Sequence, residues 1–199
     1  MFSAKVNIFL NCIIFVDNHS ILVKLRFMVL NERDCRHEHV LHVGRQMMTA
    51  ARTAPKGKGM DIIETALIEG EEIKLLSETI LTMAAKNGLK FFLRDANNIL
   101  SAECIVLIGT REQEHKLNCG HCGYSTCKER AEGVPCAINT IDVGIAIGSA
   151  CATAADFRVD TRVMFSAGLA AQQLDWLHGC KMVMAIPVCA ASKNPFFDR

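Results

Sequence analysis

Hydrophobic positions change their period several times along the 199-residue chain, and each change marks an element. Over 38–52, Val40, Met47, Met48 and Ala51 recur near helical spacing. Pro55 and the run Lys56-Gly57-Lys58-Gly59 then end that helix in a basic loop. Residues 61–69 (DIIETALIE) are short, β-branched and bracketed by Gly59 and Gly70, which predicts a strand. A stripe of Ile73, Leu76, Ile80, Met83 and Ala84 predicts a helix over 71–87, closed by Asn87-Gly88. Residues 103–110 (ECIVLIGT) form the continuous apolar run expected of a strand covered on both faces. Residues 138–157 are nearly apolar all round and rich in Gly, Ala and Ser, the pattern of a central, closely packed helix. Residues 181–188 (KMVMAIPV) predict a last strand with Pro187 near its end. Strands separated by helices imply an α/β fold in the form of an α+β sandwich. It occupies 28–199 as a single domain, with 115–137 as a small insert.

Residues 1–27 do not share this organisation. Their apolar run, 7–16, contains Asn11 and falls far short of the ~20 residues needed to cross a bilayer. Lys5 and the apolar run outline a secretory signal, but Asp17, Asn18 and His19 stand where a small-residue cleavage site belongs. Three readings stay open: an upstream extension before a start at Met28, a real but peripheral segment, and a targeting signal. Stable membrane insertion is not expected.

Composition narrows the function classes. With half the residues hydrophobic and 22% charged, the chain is not a disordered one. Lys and Arg outnumber Asp and Glu by 22 to 21, so nothing electrostatic draws it to nucleic acid or an anionic membrane. One Trp and one Tyr beside ten Phe offer no base-stacking platform. Ten cysteines are many, yet a chain this rich in Ile, Leu, Val, Met and Ala needs no disulfide framework. Four of them cluster (Cys119, Cys122, Cys127, Cys136) and six are scattered singly. That distribution points to metal or redox chemistry in a reducing compartment, and hence to a cytoplasmic protein.

The cluster has the spacing C-x2-C-x4-C-x8-C. One short loop wrapping its thiolates about a single centre favours a 4Fe-4S cluster over a structural zinc, which usually draws on two separated knuckles. Gly120 and Gly123 follow the first two cysteines, where a residue without Cβ lets backbone N–H groups turn toward the sulfurs. A zinc ribbon and unrelated buried thiols are the alternatives, with His121 between two ligands as an outer residue. Other signals are weaker. Arg52, Lys56 and Lys58 about two glycines form either a phosphate cradle or a solvated loop. Asp156, Arg158, Asp160 and Arg162 alternate in sign as surface ion pairs do. The pairs Met47/Met48 and Met182/Met184 are expected in the core, and Cys35, Cys104, Cys180 and Cys189 as buried thiols. Phe196 and Phe197 in the tail are expected to dock, on another subunit or at an anion site.

The stretch C-G-x-C-G-Y-x-x-C at Cys119, Cys122 and Cys127 resembles the 4Fe-4S domain found in Rnf-type electron-transport complexes and in corrinoid iron–sulfur proteins. In those families a fourth cysteine follows beside proline, as Cys136 follows Pro135, though after a gap about twice as long. From Met28 onward the chain also resembles a bacterial and archaeal family of uncharacterised proteins containing a ferredoxin domain. The matching stretches are Ala51-Arg52-Thr53-Ala54-Pro55-Lys56 with Gly57 and Gly59, the cysteine loop, Ala155-Asp156 with Arg158-Val159-Asp160, and Lys193 to Arg199. The order of elements around the Ala-Pro loop is similar to the nitroreductase-type flavin fold. That resemblance implies FMN as a cofactor, Arg52, Lys56 and Arg199 as contacts to its phosphate, and a homodimer built on the 138–157 helix. The loop after Pro55 departs from it, lacking the family's Ser and Asn. Together these expectations describe an iron–sulfur protein that passes single electrons to a redox partner protein. The alternatives are an iron–sulfur flavoenzyme, which would be an oxidoreductase, and a zinc-stapled binding protein.

Overall fold

The computed structural model describes residues 29–197 and, upstream of them, the backbone of two short strands. The side chains of 1–28 lie outside the described residues, as does Arg199. The chain divides into two units, Met1–Cys35 and Arg36–Arg199. The first contains an antiparallel pair, β1 (Ile14–Asp17) and β2 (Ser20–Val23), in register Ile14↔Val23 to Asp17↔Ser20. Helix α1 (Glu32–Thr53) starts six residues before the hydrophobic period does. Asn31 explains the earlier start, since its side-chain oxygen accepts the Arg33 N–H at 3.1 Å. Glu32 and Asp34 then place negative charge at the positive end of the helix dipole.

The second unit is a sandwich. After α1 come β3 (Ile63–Ile68), α2 (Glu71–Asn87), α3 (Lys90–Ile99) and β4 (Cys104–Arg111). The cysteine loop follows, then α4 (Ala137–Asp156), β5 (Asp160–Thr161), α5 (Phe165–Gln173) and β6 (Cys180–Cys189). The four strands of this sheet run in the order β3-β4-β6-β5, every neighbouring pair antiparallel. Strand β4 is buried along both faces, as its unbroken apolar run requires. Ile105 and Leu107 join the core beneath α2, α3 and α5, with Leu76, Ile80, Phe92 and Ala170. Cys104, Val106 and Ile108 point to the opposite layer, against Met47 and Ala51 of α1 and Ala146 and Ala150 of α4.

Three expectations change. The Phe-Phe tail docks on its own chain: Phe196 is fully buried, and Asn98 Nδ2 (3.3 Å) and an Arg162 guanidinium N–H both donate to its carbonyl. Arg162 therefore serves the tail, stacking 4.7 Å over the Phe197 ring. Met182 is not a core residue. It takes a left-handed φ of 53° beside the register shift between Ile108 and Thr110 and is partly exposed, while Met184 packs inward. The cysteines Cys104, Cys180 and Cys189 are buried as expected, with Cys35 less so. Loss of hydration is the main cause that pushes the Cys104 and Cys189 thiols up to about 12 and Cys180 to about 11, so they stay protonated.

Candidate functional site

The cysteine loop leaves the end of β4 and returns as α4, and two side chains close its root. Asn139, in the first turn of α4, donates from Nδ2 to the carbonyls of Arg111 (3.3 Å) and Gln113 (3.1 Å). Arg130 is only 9% exposed at its side chain although it sits in a polar loop. It donates to the Val134 carbonyl and faces Glu112 at 3.5 Å and Glu114 at 3.8 Å. One planar cation thereby ties the outgoing strand of the loop to its return.

Within the loop, Asn118 pairs with Cys127. Its Oδ1 accepts the Cys127 N–H at 2.9 Å, and its own N–H donates to the Cys127 sulfur at 3.4 Å. Such N–H donation to sulfur stabilises a thiolate or a ligated sulfur more than a thiol. Gly120 (φ 73°) and Gly123 (φ 89°) occupy the left-handed region, and a 2.9 Å bond from Gly123 N–H to Gly120 O closes a turn around Cys122. Cys127 opens a 3₁₀ turn to Glu129. Cys119 is exposed, Cys122 and Cys127 are half-buried, and Cys136 is buried at the N-cap of α4. Among the described residues, no three His, Cys, Asp or Glu side chains converge closely enough to hold a metal ion. The donor set suits an iron–sulfur cluster, with soft thiolates on one loop and an N–H aimed at sulfur, while its sulfurs are not gathered into a coordination shell.

Beside the root lies a buried polar contact that the sequence pattern does not single out. Asp142 (2% exposed) accepts the Gly57 N–H at 3.0 and 3.2 Å, and His115 (1% exposed) lies 3.4 Å from its Oδ2. Lys58 donates to the His115 carbonyl at 3.1 Å. A Cβ at Gly57 would stand 2.6 Å from Ile138 Cγ2 and 3.2 Å from His115 Cε1, so only glycine allows this approach. The basic loop is thus docked on α4 beside the cysteine loop. One signal was available: Asp142 is the lone charge in the apolar run 138–155.

The cations near the loop are engaged within the protein. Arg52 donates to the Asp61 carboxylate and the Ile63 carbonyl and lies 3.5 Å from Glu64. Lys56 donates to the carbonyls of Ala51 (3.1 Å), Arg52 (2.5 Å) and Ala54 (2.7 Å), capping the C-terminus of α1. Burial holds its ammonium below the ordinary lysine value.

Comparison with known proteins bears on both halves of this picture. Residues 132–199 match the family described as uncharacterized proteins containing a ferredoxin domain. An uncharacterized protein of Archaeoglobus fulgidus is 38% identical over 182 residues, spanning 86% of this chain and 98% of that protein. Among solved structures, a nitroreductase with bound FMN from Desulfitobacterium hafniense superposes with a TM-score of 0.55 at 12% identity, over 76% of this chain and 78% of that one. A second FMN-bound nitroreductase, from Bacteroides fragilis, gives 0.55 at 12% identity over 76% and 77%. A BluB-like flavoprotein from Clostridium difficile gives 0.51 at 13% identity over 85% and 84%. At these identities the likeness is one of fold, and the sandwich of antiparallel sheet and helices is the nitroreductase fold. With a cysteine-bearing loop between β4 and α4, and a relative matched over nearly its whole length, the chain belongs to the family of uncharacterized proteins containing a ferredoxin domain.

Proposed function

We propose that this protein is a cytoplasmic iron–sulfur redox protein that holds one 4Fe-4S cluster on Cys119, Cys122, Cys127 and Cys136 and exchanges single electrons with a partner protein. The observation that carries the reading is the loop itself. Four cysteines sit on one short, largely exposed segment whose root is closed by Arg130 and Asn139 and whose Cys127 sulfur already receives an N–H. Membership in a ferredoxin-domain family supports the same chemistry. Such a cluster supplies a one-electron couple, and exposure of the loop suits docking of a partner. Anaerobic purification should return roughly four irons and four sulfides per chain with visible absorption bleached by dithionite. Cys119→Ser, Cys122→Ser or Cys127→Ser should lose both elements while Cys151→Ser, at the rival cysteine farther along α4, keeps them. Zinc in place of iron would establish the stapled binding protein instead, and iron lost from Cys151→Ser would displace Cys136 as the fourth ligand.

A second reading, an iron–sulfur flavoenzyme, is favoured by the FMN named in the two nitroreductase structures. Here Arg52, Lys56 and Arg199 would hold the phosphate, and the first two would exchange Asp61 and the α1 carbonyls for it. FMN added anaerobically should then survive desalting on the wild type and be lost from Arg52→Ala. No retention by the wild type leaves the electron carrier alone. Neither reading calls for nucleic acid or stable membrane insertion. Helix α4 has the length and apolarity to cross a membrane, but its Val143, Ala146, Ala150 and Ala154 pack into the core. Its other side carries Ile141 (48% exposed), Gly144, Ile145 (39%) and Gly148, a face suited to a second copy of the chain in a homodimer.

A further inference from the structure

We infer that Asn118 is a positioning residue for the cluster: it aims its own N–H at the Cys127 sulfur and so raises the reduction potential of the group held there. The inference rests on the iron–sulfur reading and adds to it the residue that tunes the couple. Asn118 is not one of the four cysteines, yet it makes two bonds to one of them. Its N–H donates to Cys127 Sγ at 3.4 Å, and its Oδ1 accepts the Cys127 N–H at 2.9 Å. The second bond fixes the first, because it holds the Cys127 backbone against the same residue that addresses its sulfur. Among the described residues, Cys127 is the one of the four whose sulfur receives an N–H.

The backbone is shaped for this contact. Lys116 (φ 53°), Asn118 (φ 48°) and Gly120 (φ 73°) are left-handed, whereas Leu117 and Cys119 between them are not. Alternation of hand is the backbone pattern that gathers successive N–H groups into one concavity, the kind that receives phosphates and iron–sulfur groups. Asparagine tolerates a left-handed φ better than most residues with a Cβ, because its short polar side chain bonds locally. Here that local bond is the one to the Cys127 N–H. Asn118 is exposed, and the loop is closed at its root by Arg130 and Asn139, so Asn118 is not what holds the loop to the core. Reduction adds one electron, supplied by the partner protein, and forms or breaks no bond. The added charge falls partly on the sulfurs, so an N–H donated to sulfur stabilises the reduced form more than the oxidised one.

Potentiometric titration of the anaerobically purified full chain, followed by its visible absorption, tests this. At a fixed solution potential, the ratio of reduced to oxidised protein should fall about tenfold in Asn118→Ala, which is about 59 mV for a one-electron couple. Ser125→Ala, also an exposed change in the same loop, should leave the ratio where it is. Should Asn118→Ala lose its iron, Asn118→Gly takes its place and should show the same fall. Glycine adopts the left-handed φ freely but has no side chain to pin Cys127. An iron-bearing variant with an unmoved potential, an equal fall in Ser125→Ala, or loss of iron from both Asn118 variants would overturn the inference. Wild type without iron would instead defeat the iron–sulfur reading, and this inference with it.

Discussion

At the scale of single residues, two histidines show how environment sets a role. His37 is half exposed and lies 2.8 Å from Glu103 and 3.3 Å from Glu69. The Glu103 hydrogen bond is the main cause that raises its pKa above the ordinary 6.5, with Glu69 and the charge of Glu103 adding to it. A folded-state pKa above the unfolded one stabilises the fold fully below the unfolded value and is lost as pH rises through the folded one. Wild type should therefore lose stability relative to His37→Ala as pH climbs from about 6 to 8, and solvent screening should keep the difference under about 1 kcal/mol. Thermal melts of both proteins across that window check the sign, and a difference that grows with pH would refute it. His115 is instead sealed against Asp142, whose carboxylate holds the Gly57 N–H. Asp142→Ala leaves that half-buried donor without a partner and should cost about 1 kcal/mol, read as a lower urea midpoint with the slope unchanged.

At the scale of elements, legibility followed the clarity of each local pattern. Helix α2 and strand β4 each have one period or one unbroken run, and both formed where the pattern places them. Helix α3 has Phe92, Ala96 and Ile99 on a buried stripe, but the same face carries Asp95, paired with Arg94 and bonded to Ser166 Oγ at 2.5 Å. A buried acid blurs the pattern that would announce the helix. Helix α5 is nine residues long and buries Ser166, Ala167, Gly168, Ala170 and Ala171, so its apolar signal is slight. The cysteine loop has no period at all, and its order comes from side chains such as Arg130. Arg130→Gln should open it: chymotryptic cleavage after Tyr124 should accelerate severalfold while the melting of the core moves by less than about 1 kcal/mol. Cleavage at the wild-type rate would show that Arg130 does not hold the loop.

At the scale of the whole molecule, α4 presents Ile141 and Ile145 on an exposed face opposite its core side. If it joins two copies of the chain, Ile145→Glu buries a charge at the joint and should give a monomer in sedimentation velocity with its secondary structure intact. A monomeric wild type would dismiss the dimer. The sequence by itself determined the types of most elements, the two-sided burial of β4 and the close spacing of the four cysteines. Each of these is written in residues a few positions apart, and backbone geometry converts such spacing directly into a face or a turn. Only the tertiary structure decided that the strands pair as β3-β4-β6-β5, that Arg52 and Lys56 spend their donors on Asp61, Ile63 and the end of α1, and that the tail docks at home. It also brought Gly57 to Asp142 and Asn139 Nδ2 to the Arg111 and Gln113 carbonyls at the root of the cysteine loop. Those outcomes depend on which distant segments meet, and a residue's neighbours across the sheet leave no periodic trace in the chain that carries it.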